Sequence, residues 1–105
     1  MAIQEISVDE LETLLTSGAR LIDVREPAEF EEARVAQAAL VPLGTVPENL
    51  DAFRGDGPVY VICRTGGRSM RACEFVAGYG IEAINVAGGT AAWLMSGRDV
   101  ATGAA

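Results

Sequence analysis

One thiol heads the run Cys63-Arg64-Thr65-Gly66-Gly67-Arg68-Ser69. Cysteine attacks as its thiolate, and a free thiol with a pKa of about 8.5 is only about 3% ionised at neutral pH. The residues that follow can change that. Two adjacent glycines allow positive φ, so successive N–H groups can turn inward. Such a nest, continuous with a helix start, binds anions. Arg64, Arg68 and Arg71 fall within eight residues, with no acid among them. Amides, a helix terminus and arginine together favour thiolate over thiol. The expected chemistry is nucleophilic attack by Cys63 on a small anionic substrate.

The rest of the composition narrows the choice. The chain has 105 residues, no histidine, and arginine at all eight basic positions. Without His there is no Cys–His or Ser–His pair and no His-ligated metal. Without Lys there is no P-loop lysine and no Schiff base. Two cysteines, Cys63 and Cys73, make neither a disulfide scaffold nor a zinc site. The net charge of −7 argues against nucleic acid and anionic membrane as partners, both of which need a basic footprint. No basic-then-apolar leader and no apolar run of about 18 residues stands in the sequence, so the cytoplasm is the default expectation, with reduced thiols. The length predicts one domain over 1–105, with roughly 96–105 as a flexible tail.

The elements that must position the thiol alternate. Ile3–Ile6 reads as a short edge strand. Ser7 and Glu10 form a capping box opening a helix that Gly18 ends. Leu21–Val24 reads as a buried strand, and Glu26–Glu32 as a helix with Pro27 in its first turn. Leu40–Leu43 is a short extended run that Pro42 confines to a sheet edge or end. A short helix is expected over Pro47–Phe53. Val59–Ile62 reads as the central strand, three of its four residues being β-branched. Ser69–Tyr79 follows as a helix, Ile84–Val86 as the last strand and Thr90–Met95 as the last helix. This alternation means an α/β domain with a mostly parallel sheet, whose ligands sit beyond the C-terminal strand ends. Cys63 is the first residue past the central strand.

At this loop the sequence resembles the rhodanese family of sulfurtransferases, in particular its single-domain members. Cys63 to Ser69 resembles the family loop C-R-x-G-x-R-S. Asp23-Val24-Arg25-Glu26-Pro27 with Glu29-Phe30 resembles its D-V-R-E-P-x-E-F signature, and Gly88-Gly89-Thr90-Ala91-Ala92-Trp93 its G-G-x-x-A-W signature. The resemblance implies a three-layer fold with a five-stranded, mostly parallel sheet flanked by helices. It implies a reaction in which Cys63 takes a sulfane sulfur from a small anionic donor such as thiosulfate. Cyanide or a thiol then removes it from the persulfide. Arg64, Thr65, Gly66, Gly67 and Arg68 would bind the donor and cradle the persulfide, and no cofactor or metal enters. Arg68 lies five residues after Cys63, whereas phosphatase-like relatives use a loop one residue longer. The shorter loop fits one sulfur atom and disfavours phosphate chemistry. The chain departs from the family at Ala33–Ala38, where many members carry G-H-I-x-G-A and here Arg34 replaces the histidine.

Other residues read as structural. Asp23 and Arg25 are expected to pair at a strand end, Trp93 to pack the last helix, and Cys73 to lie in the core. Glu26, Glu29, Glu31 and Glu32 read as a solvated helix face. Two alternatives share the fold: a persulfide relay between protein partners, and a non-catalytic binding module. The intact Cys63, Arg64 and Arg68 argue against the second.

Overall fold

In a computed structural model the described residues are 2–104. Five strands form the sheet: β1 (Glu5–Ile6), β2 (Arg20–Asp23), β3 (Ala38–Leu40), β4 (Val59–Ile62) and β5 (Ala83–Val86). They lie in the order β1-β5-β4-β2-β3, and every pairing is parallel. The helices are α1 (Val8–Thr16), α2 (Pro27–Glu32), α3 (Gly67–Ala77) and α4 (Gly89–Met95). None is long and apolar enough to cross a membrane.

A parallel sheet needs cover on both faces, because each crossover deposits a helix on one of them. The strand period of two sorts the core accordingly. Val59 and Val61 of β4 pack with Ala72, Cys73 and Val76 of α3 on one face. Tyr60 and Ile62 pack with Leu11 and Leu15 of α1 and Trp93 of α4 on the other. Continuing that alternation, Cys63 falls on the α3 face and joins its cluster. The expected packing role of Trp93 and the core position of Cys73 are both found.

Several boundaries differ from the sequence reading. The third strand begins at Ala38, not Leu40, and ends before Pro42, which leads into a 3-10 turn at Leu43–Glu48. The strand is at the sheet edge, as Pro42 required. The expected helix at Pro47–Phe53 is instead divided between that turn and a second, Leu50–Phe53, the break falling at Asn49, whose backbone leaves helical values at φ −130° and ψ 32°. Helix α3 starts at Gly67, two residues early, so Gly67 is helical and, of the two adjacent loop glycines, Gly66 alone has positive φ, at 116°.

The segment from Ser96, read as a fraying tail, is docked through residue 103. Trp93 Nε1 donates to the Asp99 carbonyl at 2.9 Å. Arg98 pairs with Asp9 and Glu12 of α1. Arg34 and Ala101 form an antiparallel bridge, and Arg34 Nη1 donates to the Gly103 carbonyl at 2.7 Å. Residues Ala33–Ala38 and the segment from Ser96 are therefore one structural feature, in which Arg34 holds Ala101 and Gly103. Its guanidinium also stacks 4.7 Å from the Phe30 ring centre.

Candidate active site

Strand β4 is buried at every residue and delivers Cys63 to the C-terminal edge of the sheet, itself 1% exposed. The chain must then reverse into α3 within three residues. Gly66 makes that reversal possible with its left-handed φ as the N-cap of α3, a conformation side chains resist. Its N–H donates to Cys63 Sγ at 3.1 Å, and the Ser69 hydroxyl donates at 3.2 Å. Burial pushes the Cys63 thiol up. The Ser69 hydroxyl and the amides of Ser69, Gly66 and Thr65 together outweigh it and hold the thiol below its ordinary value. Ser69 Oγ also lies 3.2 Å from the Gly66 carbonyl. A hydroxyl has one proton to give, so these are alternatives, and an ionised sulfur is the stronger acceptor.

The loop is held from behind. The Thr90 N–H and hydroxyl both donate to the Cys63 carbonyl, at 2.9 and 3.1 Å, and the Ala91 N–H donates to the Arg64 carbonyl at 2.9 Å. Gly89 makes this approach possible: a Cβ there would collide with the Cys63 carbonyl oxygen and come within 2.6 Å of that of Arg64. The G-G-x-x-A-W segment is thus the back wall of the cysteine loop.

Asn85, fully buried on β5, donates from one amide group to Glu5 Oε2 at 2.8 Å and to the Gly66 carbonyl at 3.2 Å. Both partners are acceptors, which fixes the amide's orientation. The edge strand β1 is thereby linked to the turn residue that faces the sulfur.

Arg68 does not point freely into solvent. It forms a two-pronged pair with Glu29 of α2, Nη1 to Oε1 at 2.7 Å and Nη2 to Oε2 at 2.9 Å. Arg68 holds the Glu29 carboxyl at about 2 against partial desolvation, helped by the Glu26 N–H. Glu29 is therefore not part of a solvated face, as the sequence suggested, but an anchor for the loop. Asp23 and Arg25 pair as expected: Arg25 Nη2 reaches Asp23 Oδ2 at 2.8 Å and the Ala33 carbonyl at 2.7 Å, so the end of α2 is tied to the end of β2. Both are buried, and removing either partner would strand a charge at a cost of about 3–5 kcal/mol. Arg64, Thr65 and Gly67 are exposed at the loop's outer rim. Cys73, on the same helix, goes the other way from Cys63: burial pushes its thiol up to about 12.

Ser69, Glu29, Asn85 and Thr90 thus support the loop, a role the sequence reading assigns to none of them. Ser69 carries a signal for it. It shares the spacing i, i+3, i+4, i+7 with Ala72, Cys73 and Val76, the residues α3 buries. Phe75 on the same helix is 40% exposed.

Comparison with known proteins agrees with this fold. The rhodanese-like domain matches residues 7–96. The putative sulfurtransferase YtwF of Bacillus subtilis (strain 168) is 37% identical over 95 residues, spanning 89% of this chain and 92% of that one. A sulfurtransferase of Allochromatium vinosum is 32% identical over 102 residues, spanning 93% and 94%. The structure of the human single-domain sulfurtransferase TSTD1 superposes with a TM-score of 0.80 at 28% identity, covering 90% of this chain and 97% of that one. With the five-stranded parallel sheet, the cysteine loop at its C-terminal edge and these relatives in agreement, the chain belongs to the rhodanese-like domain family.

Proposed function

We propose that this protein is a sulfurtransferase that carries a sulfane sulfur on Cys63, taken from thiosulfate or a related small anionic donor. The observation that carries the reading is the Gly66 N–H and Ser69 hydroxyl converging on Cys63 Sγ at 3.1 and 3.2 Å. A thiolate stabilised this way needs no general base, which suits a chain without histidine.

The Cys63 thiolate attacks the outer sulfur of thiosulfate. A new S–S bond forms, the donor's S–S bond breaks, and sulfite leaves with the bonding pair. The exposed Arg64 guanidinium meets the donor's negative charge at the rim. The loop amides from Thr65 to Ser69 then face the persulfide. A thiolate or cyanide attacks the outer sulfur, and Cys63 departs as the thiolate it began as. The role of Arg68 is to fix the loop through Glu29 rather than to clamp the donor.

Intact mass after thiosulfate treatment tests this. The native chain gains one sulfur atom and loses it to cyanide; Cys63→Ser gains none. Cyanolysis surviving in Cys63→Ser would overturn the mechanism. Loading from a protein persulfide but not from thiosulfate would replace the small-donor step with a relay.

A further inference from the structure

The eight arginines divide sharply by partner. Arg25, Arg54, Arg68 and Arg98 pair with carboxylates, while Arg20 and Arg34 donate to backbone carbonyls. Among the described residues only Arg64 and Arg71 do neither, and both are exposed. Arg64 belongs to the loop rim. Arg71 stands on α3 one turn beyond Arg68, where the sulfur-transfer reaction gives it no task.

Arg71 lines a groove of ≈ 220 Å³ with Leu43, Val46, Pro47, Ala72 and Phe75. The groove runs between α3 and the first 3-10 turn. Its floor continues the packing around the thiol: Val46, Ala72 and Cys63 share one buried cluster, and Leu43 packs against it. Its near end is tied to the strand ends. The Leu43 N–H donates to the Val24 carbonyl, and the Val24 N–H to the carbonyl of Ile62, the residue before Cys63. One wall is apolar, with Phe75 40% exposed, and the other ends in a cation without a counterion. The volume is below the roughly 300 Å³ of the smallest drug-sized sites, so it suits a chain of a few carbons.

We propose that this groove is the acceptor subsite, and that it selects a thiol bearing a short apolar chain and a carboxylate. The carboxylate meets Arg71, and the chain lies over Leu43, Pro47 and Phe75. This rests on the sulfurtransferase function proposed for Cys63. The acceptor thiolate attacks the outer sulfur of the Cys63 persulfide. One S–S bond forms as the other breaks, Cys63 leaves with the electron pair, and the transferred sulfur keeps the negative charge it carried on Cys63. The product is the acceptor's own persulfide, and no oxidant or reductant is consumed.

Single-turnover transfer from thiosulfate-loaded, desalted protein to three thiols tests this. Mercaptohexanoate should react about fivefold faster than mercaptohexanol, the advantage of one exposed ion pair. It should also exceed mercaptopropionate about tenfold, the effect of partly burying three methylenes. Arg71→Gln should erase the first ratio and Phe75→Ser should shrink the second. Arg54→Gln, which removes the same charge beside the glycine turn before β4, should change neither. Equal rates for all three thiols, or a carboxylate preference that survives Arg71→Gln, would overturn the groove while leaving sulfur transfer intact. Failure of the native protein to load would overturn both.

Discussion

Glu29 and Arg68 meet through both oxygens and both terminal nitrogens, at 2.7 and 2.9 Å, and so join helix α2 to the first turn of α3. Held at about 2 by Arg68, the Glu29 carboxyl lies below its ordinary 4.5. The stability this contributes is fully present above pH 4.5 and is lost as pH falls from there towards 2. The pair is about a third exposed, so solvent screening limits the loss to about 1 kcal/mol. Urea unfolding between these pH values should show that loss in the native chain and not in Glu29→Gln. Equal pH slopes in the two proteins would deny the pair this role.

Ser69 should act on the thiol rather than on the fold. Ser69→Ala removes a hydrogen bond to the sulfur anion, so less thiolate forms at neutral pH. Alkylation of Cys63 at pH 7 should slow about tenfold. The pH–rate profile should move to higher pH, and the deficit should vanish once the thiol is fully ionised. A uniform slowing at all pH values would mean the hydroxyl only shapes access.

The two cysteines should separate cleanly. Cys63 is held below and Cys73 far above the ordinary thiol range, the latter at about 12 by burial. Sub-stoichiometric iodoacetamide on the folded protein should label Cys63 alone, read by peptide mass. Under denaturant both should label at similar rates. Labelling of Cys73 in the native state would contradict its burial between α3 and the sheet.

Gly89 should tolerate no side chain. Its φ is +57°, and a Cβ would strike the two loop carbonyls. Gly89→Ala should cost more than about 2 kcal/mol of stability and lower Cys63 reactivity together, because one displacement causes both. Gly97→Ala, also at positive φ but in open space, serves as the control for backbone strain alone. A chain that loses only stability would show that the loop does not depend on its back wall.

How much of this is legible in sequence differs by kind of contact. The α/β alternation, the capping box at Ser7 and the place of Cys63 past β4 all rest on local patterns, and all are readable. The Asp23–Arg25 pair is readable because its partners are two residues apart. Glu29 with Arg68 spans 39 residues, and Asn85 with Glu5 spans 80. No periodicity encodes such pairings; the sheet order creates them. Misplaced helix ends have a different cause. Gly67 is a poor helix former, so propensity argues against starting α3 there. Its position directly after the left-handed Gly66 overrides that preference.

The orientation of the peptide planes around Cys63 has one more consequence. The carbonyls of Cys63 and Arg64 are turned back onto α4, while the Gly66 N–H is turned towards the sulfur. Backbone amides and guanidinium groups keep their charge or polarity at any pH a folded protein survives. The attractive side of the site is therefore written into covalent structure and carries no switch of its own. Above the range in which the Glu29 anchor titrates, acidity of the surroundings can act here only through the sulfur atom itself and whatever molecule comes to meet it.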